Sequence, residues 1–265
     1  MADLRIDHPH PARMYDYYLG GKDSFPADRF AAGRVVALFP HVRSTARANR
    51  RFLGRAVRFA ARQGIRQFLD IGTGIPTADN THEVAQVVAP DARIVYVDND
   101  PIVLSHARAL LRGTSEGRTA YVDADFRDPA AILGAPPVKE LLDFTRPVAL
   151  MAISLLHFFP DDEHPEASLD ALKSALAPGS ALILSHATGE FTPPEVAGSV
   201  TRAYTAAGLN LTPRTHPEVL RFFDGLDLVD PGLVPVHEWH ADDEQDRALS
   251  RAEVAGYAGV ALKPG

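Results

Sequence analysis

The stretch that most constrains this chain is Phe68-Leu69-Asp70-Ile71-Gly72-Thr73-Gly74-Ile75-Pro76. A short apolar run ending in a carboxylate, followed by two glycines one residue apart, predicts a buried strand that enters a tight loop, with Thr81 to Val88 as the following helix. Glycine there removes the Cβ that would oppose a positive φ or a ligand lying against the main chain. The pattern alone suits an ordinary strand-to-helix turn as well as a ligand loop. Its meaning depends on the next strand, Ile94-Val95-Tyr96-Val97, which ends in Asp98-Asn99-Asp100.

Around this stretch, strand and helix periods alternate. Leu53, Ala56, Val57 and Ala60 recur at helical spacing over Ser44 to Gln63. Asp100-Pro101 opens a helix whose apolar stripe runs through Ile102, Val103, Ala107, Leu110 and Leu111 and which Gly113 closes. Thr119 to Ala124, the nearly all-apolar Val148 to Leu156, and Ala181 to Ser185 read as three more strands, the middle one covered on both faces. Such alternation predicts an open, mostly parallel α/β sheet with right-handed crossovers. Leu226 to Trp239 and Tyr257 to Leu262 follow without an intervening helix and predict an antiparallel pair at one edge. The tyrosine-rich start, Met14 to Asp23, predicts a helical lid tied down by aromatic area. With no linker, the chain reads as one domain over 1–265. Residues 1–64 form the lid and first helix, 65–188 a ligand-binding core, and 189–265 a helical insertion with the antiparallel strands.

Composition excludes several function classes. There is no cysteine, hence no disulfide, thiolate metal site or cysteine nucleophile. No run approaches the ~20 apolar residues of a membrane helix and the N-terminus has no signal-peptide core, so a cytoplasmic protein is expected. A net charge of -7 makes nucleic acid an unlikely partner. The helical stripe Arg47, Arg51, Arg55, Arg58 and Arg62 is read as a solvated face. Neither His8 with His10 nor His237 with His240 and Glu238 closes a metal shell, and no strand ends in a hydrolase Gly-x-Ser-x-Gly.

Ligands of open α/β sheets bind outside the carboxyl ends of the strands. Those ends carry Asp70, Gly72, Thr73 and Gly74, then Asp98 and Asn99, then Asp125 and Phe126, then Ser154 to His157. A carboxylate at Asp98 suits two ribose hydroxyls, and Asp125 with Phe126 suits adenine. The loop puts Thr77 where a dinucleotide fingerprint needs its third glycine, and Pro76 lacks an N–H. Adenosine without phosphates fits better, which points to S-adenosyl-L-methionine.

Asp70-Ile-Gly-Thr-Gly74 and Val97-Asp-Asn-Asp-Pro101 resemble the motifs of class I S-adenosylmethionine-dependent methyltransferases. Tyr15-Asp-Tyr-Tyr-Leu-Gly-Gly-Lys-Asp23, Gly74-Ile-Pro-Thr77, Asn80-Thr-His-Glu83, Leu156-His-Phe158 and Leu184-Ser-His-Ala-Thr188 are similar to an actinobacterial family of them, formerly a domain of unknown function. The resemblance implies a Rossmann-like, seven-stranded, mostly parallel sheet with an antiparallel C-terminal strand. It also implies Gly72 and Gly74 at the cofactor's methionine portion, Asp98 at the ribose, and Asp125 with Phe126 at the adenine. Lys22 or Arg13 is a candidate partner for the cofactor carboxylate, and His157, His186 or the lid tyrosine Tyr18 a candidate base. The expected activity is methyl transfer to a small molecule such as a secondary metabolite. A protein that binds the cofactor without transferring its methyl, as a sensor or partner subunit, is the alternative.

Overall fold

The computed structural model describes residues 5–110 and 114–265, apart from the side chains of residues 106–110. Three helices come first: α1 (Pro11–Leu19), α2 (Pro26–Leu38) and α3 (Val42–Arg62). The alternating region follows as β1 (Gln67–Ile71), α4 (Thr81–Val88), β2 (Arg93–Asp98), α5 (Pro101–Leu110), β3 (Arg118–Asp123), α6 (Pro129–Gly134), α7 (Pro136–Leu141), β4 (Ala149–Ile153), α8 (Pro165–Ser174) and β5 (Ala181–Ala187). The chain ends with α9 (Pro194–Ala206), α10 (His216–Leu220), β6 (Asp227–Leu228), β7 (Val234–Pro235), α11 (Glu244–Arg247) and β8 (Gly256–Leu262). Gly113, expected to close α5, lies outside the described residues, as do Leu111 and the side chains of Ala107 and Leu110.

The strands lie in the order β3-β2-β1-β4-β5-β8-β6, with β7 also paired to β8. β1 to β5 run parallel, and β8 is antiparallel to β5 from Ala181 opposite Leu262 to Ala187 opposite Gly256. The order reverses between β1 and β4, so the glycine loop opens at the switch point where such sheets hold ligands. Alternate residues of the strands feed two cores. Phe68, Ile94, Met151 and Ile183 pack with Phe52 and Trp239 on one face. Leu69, Val95, Leu150 and Leu182 pack with Leu169 and Phe222 on the other. Both faces are thus covered, as the apolar runs require.

The structure corrects the edge of the sheet and the end of β4. The expected strand 226–239 is two stubs, because Pro231 has no N–H for a ladder and Gly232 turns the chain at φ 87°. The short β7 is an eighth strand beside the seven of the main order. β4 stops at Ile153, where Ser154 takes φ 53° and Leu156–Phe158 winds into one tight turn. The helix expected at Thr81 to Val88 forms there, capped by Asn80 in a reciprocal box with Glu83.

The lid is helical and packs against α9, with Met14, Tyr18, Ala32 and Val35 buried against Ala203 and Tyr204. Three of the five stripe arginines hold carboxylates, and one of them is taken out of water. Arg51 and Arg55 pair with Asp246, Arg58 pairs with Asp242, and Arg55 is buried and also donates to the carbonyls of Val236 and Trp239. The acidic segment Asp242 to Asp246 therefore docks on α3. No helix among the described residues is long and apolar enough to cross a membrane.

Candidate cofactor and acceptor site

A cavity of about 370 Å³ lies over the carboxyl ends of the parallel strands, roofed by α1, α2 and α9. Its floor begins at the glycine loop. Gly72 and Gly74 sit at φ 70° and 69°, in the left-handed region that favours glycine. A Cβ on Gly72 would stand 2.5 Å from Leu155 Cδ1 and would have to push that side chain aside. The amides of Gly72 and Thr73 donate to Val97 O at 2.8 and 3.2 Å, binding the loop to the end of β2.

Asp98 is 7% exposed and faces the cavity. One carboxylate oxygen accepts from Gly74 N at 2.8 Å and the other from Asp100 N at 2.9 Å, and the Asn99 amide also bears on it, which leaves acceptor capacity on a group with about four lone-pair sites. Burial raises its pKa to about 6, against the pull of those amides. Asp70, also on the wall, accepts from Thr81 Oγ1 at 2.7 Å, and burial again raises its pKa to about 6. A loop held at φ values that favour glycine, beside a buried carboxylate with acceptor capacity left, fits a ribose and a methionine chain laid against the backbone.

The remaining predicted residues divide. Thr73, Asn99, Phe126, Ser154, His157 and Tyr18 are on the wall. Asp125 is not, because its carboxylate is turned to Arg127, which donates at 2.9 Å from Nε and 2.7 Å from Nη2, and to Asn99 at 2.9 Å. Those bonds hold its pKa down at about 2. Lys22 is exposed and off the wall. Arg13 is buried beside Asp100 and Asp28, at 3.3 and 3.5 Å, pinning the lid to the loop after β2 rather than reaching the cavity.

Both catalytic expectations change in character. His157 Nδ1 accepts from Ala187 N at 3.2 Å, which places the ring proton on Nε2 and makes that nitrogen a donor. Its pKa is far below the ordinary value, chiefly through burial. The Tyr18 hydroxyl shares a 3.2 Å hydrogen bond with Tyr204, and burial pushes both phenols up. Neither residue presents a basic lone pair. His186 is committed as well: its Nδ1–H donates to Ala187 O at 2.7 Å and its Nε2 accepts from Arg214 at 2.9 Å.

Sequence reading missed Asn49, Ser185, Arg50 and Arg127, all on the wall. The Ser154 amide donates to Ser185 Oγ at 3.0 Å, Ser185 Oγ to Asn49 Oδ1 at 2.6 Å, Asn49 Nδ2 to Tyr15 Oη at 2.9 Å, and Tyr15 Oη to Ala46 O at 3.0 Å. The signal for Asn49 was present, since it is a lone amide on the apolar stripe between Ala46 and Leu53.

A parallel sheet reversing at β1 and β4, a glycine loop facing a β2 carboxylate, and an antiparallel last strand define the class I, Rossmann-like methyltransferase fold. The same fold, at a TM-score of 0.52 and 13% identity over 94% of this chain and 89% of the other, is found in the magnesium protoporphyrin IX methyltransferase of Synechocystis, solved with bound S-adenosylmethionine. The chain belongs to the S-adenosyl methyltransferase family, whose model matches residues 1–264. It is 48% identical to a DUF574 family protein from Streptomyces avermitilis, over 99% of this chain and 100% of that one, with a TM-score of 0.96. A Thermobifida fusca protein described provisionally as a methyltransferase is 41% identical over 99% and 97% of the two chains, with a TM-score of 0.90. No curated protein matches. The chain is thus an S-adenosylmethionine-dependent methyltransferase, and its likeness to proteins of two actinobacteria agrees with the resemblance in its motifs.

Proposed function

We propose that the methyl acceptor is a small molecule enclosed between the cofactor and the α1–α2 lid. The observation that carries this is the roofed cavity itself, which continues from the glycine loop to Phe158, Val200 and Tyr204 beneath the helices. S-adenosylmethionine supplies an electrophilic methyl, so the protein's task is to hold the nucleophile in line with it and exclude water.

In this reading Gly72, Thr73 and Gly74 line the methionine portion, Asp98 accepts from the ribose hydroxyls, and Asn99 and Phe126 border the adenine. Arg127 holds Asp125 and Glu163 together at the same edge, at 2.7 and 3.2 Å. Arg50 takes the place expected of Lys22 or Arg13. It is on the wall, fixed by Ala78 O at 3.1 Å and Asn80 Oδ1 at 3.2 Å, and its guanidinium suits the cofactor's carboxylate.

Methyl-labelled S-adenosylmethionine added with the protein to a cell extract tests the reading. After ultrafiltration the label is expected in the small-molecule filtrate. Label retained with protein or RNA would contradict it.

A further inference from the structure

Several polar side chains on the cavity wall are already paired within the protein. Asn49 and Ser185 belong to the chain that ends at Tyr15, Thr45 donates to His41 O at 3.0 Å, and Tyr257 donates to the Glu190 carboxylate at 3.0 Å. His157 is only half engaged. It is 6% exposed and on the wall, its Nδ1 is taken by Ala187 N at 3.2 Å, and its Nε2 has no partner among the described residues. That nitrogen is not sealed within the protein either, so the cavity is what it faces.

The ring is fixed in this attitude. The His157 carbonyl accepts from Thr212 N at 2.8 Å, and the ring lies 4.3 Å from that of Phe158 and edge-on to His186 at 5.4 Å. The opposite tautomer would set a proton on Nδ1 against the Ala187 N–H, two donors face to face. Nε2 therefore carries a hydrogen in the neutral ring, as it would in the protonated one. The Tyr18–Tyr204 pair offers a second donor on the wall, because two hydroxyls share one hydrogen bond and one O–H is left over. A buried donor without a partner is costly, and a site built around one rejects molecules that cannot pair it.

We infer that His157 determines which molecules are methylated, its Nε2–H donating to a hydrogen-bond-accepting atom of the methyl acceptor, such as a carbonyl oxygen. This rests on the small-molecule reading of the acceptor. The part of His157 is to orient that molecule and not to take a proton from it, since Nε2 has no free lone pair.

Two substitutions separate this from a structural role. His157→Gln keeps an amide N–H near the place of Nε2, whereas His157→Asn keeps an oxygen near the place of Nδ1 for the Ala187 amide and removes the donor. Each variant is given methyl-labelled S-adenosylmethionine and a limiting amount of the small-molecule fraction of a cell extract. The Gln variant is expected to label that fraction within about threefold of the native rate and the Asn variant at least about tenfold more slowly. Calorimetry should show unchanged S-adenosylhomocysteine affinity in both. An active Asn variant beside an inactive Gln variant would make His157 structural and overturn the inference, as would two inactive variants that still bind S-adenosylhomocysteine. The native chain gives a reading free of any folding defect. In its S-adenosylhomocysteine complex the His157 Nε2–H resonance should shift when the same fraction is added, and an unmoved resonance would also overturn the inference. A native chain that labels no small molecule would instead overturn the acceptor class on which it rests.

Discussion

Single residues carry the division between what lines the cavity and what the sequence advertises. Gly72, Gly74 and Asp98 were legible because each follows a strand end, and strand ends of an open sheet converge on one place. Asp125 has the same credentials, yet Arg127 two residues on takes its carboxylate away from the cavity. Lys22 fails for a similar reason, since a turn past Gly20 leaves it in solvent. His157 shows what sequence cannot supply: its tautomer is set by the amide of Ala187, 30 residues away. Arg50 was illegible because it belongs to a helix rich in arginines and is selected only by the loop before α4. Its proposed role is separable from the adenosine contacts. Arg50→Ala is expected to weaken S-adenosylhomocysteine binding about tenfold or more, the worth of a charge-assisted hydrogen bond. Binding of 5'-methylthioadenosine, which lacks the amino-acid carboxylate, should be unchanged. Equal loss for both ligands in parallel titrations would remove Arg50 from that role.

Among the elements, α3 was recognised by its period but not by its partners. Periodicity gave its apolar face correctly, with Phe52, Leu53, Ala56 and Ala60 buried. The opposite stripe was read as solvated because nothing local distinguishes a wet arginine from one awaiting an acidic segment some 190 residues later. Asp246 is fully buried and Arg55 is 4% exposed, so their pair is not a surface ion pair of small worth. Removing Arg55 leaves the buried Asp246 carboxylate to Arg51 alone and strips the carbonyls of Val236 and Trp239 of their buried donor. Arg55→Ala is expected to lower unfolding stability by ~3–5 kcal/mol. Urea denaturation reads this directly, and a loss no larger than that of Arg58→Ala, whose pair is exposed, would contradict it. The stubs β6 and β7 record another limit, since an apolar run containing Pro-Gly satisfies composition but cannot form one ladder.

Across the whole molecule, the mostly parallel sheet and its antiparallel last strand followed from alternation and the two late strand runs, although the short α11 stands between those runs, where no helix was expected. The cavity did not, because it is made where the lid, α9 and five strand ends meet, and none of these contacts is near in sequence. Its two ends differ, one charged and floored by glycines and the other aromatic, and the proposed function puts the cofactor at the first. The proposed placement of the cofactor turns on Asp98, whose carboxyl burial raises to a pKa of about 6 and which keeps acceptor capacity toward the cavity. Protonation takes up part of that capacity, so cofactor affinity should fall as pH drops through that value. The most direct test is calorimetric titration of S-adenosylhomocysteine into the native chain and into Asp98→Ala. Stoichiometric binding by the native chain, weakened about 100-fold by the substitution as expected for two charge-assisted hydrogen bonds, is the predicted result. Unchanged affinity in a folded Asp98→Ala protein would contradict the placement of the cofactor.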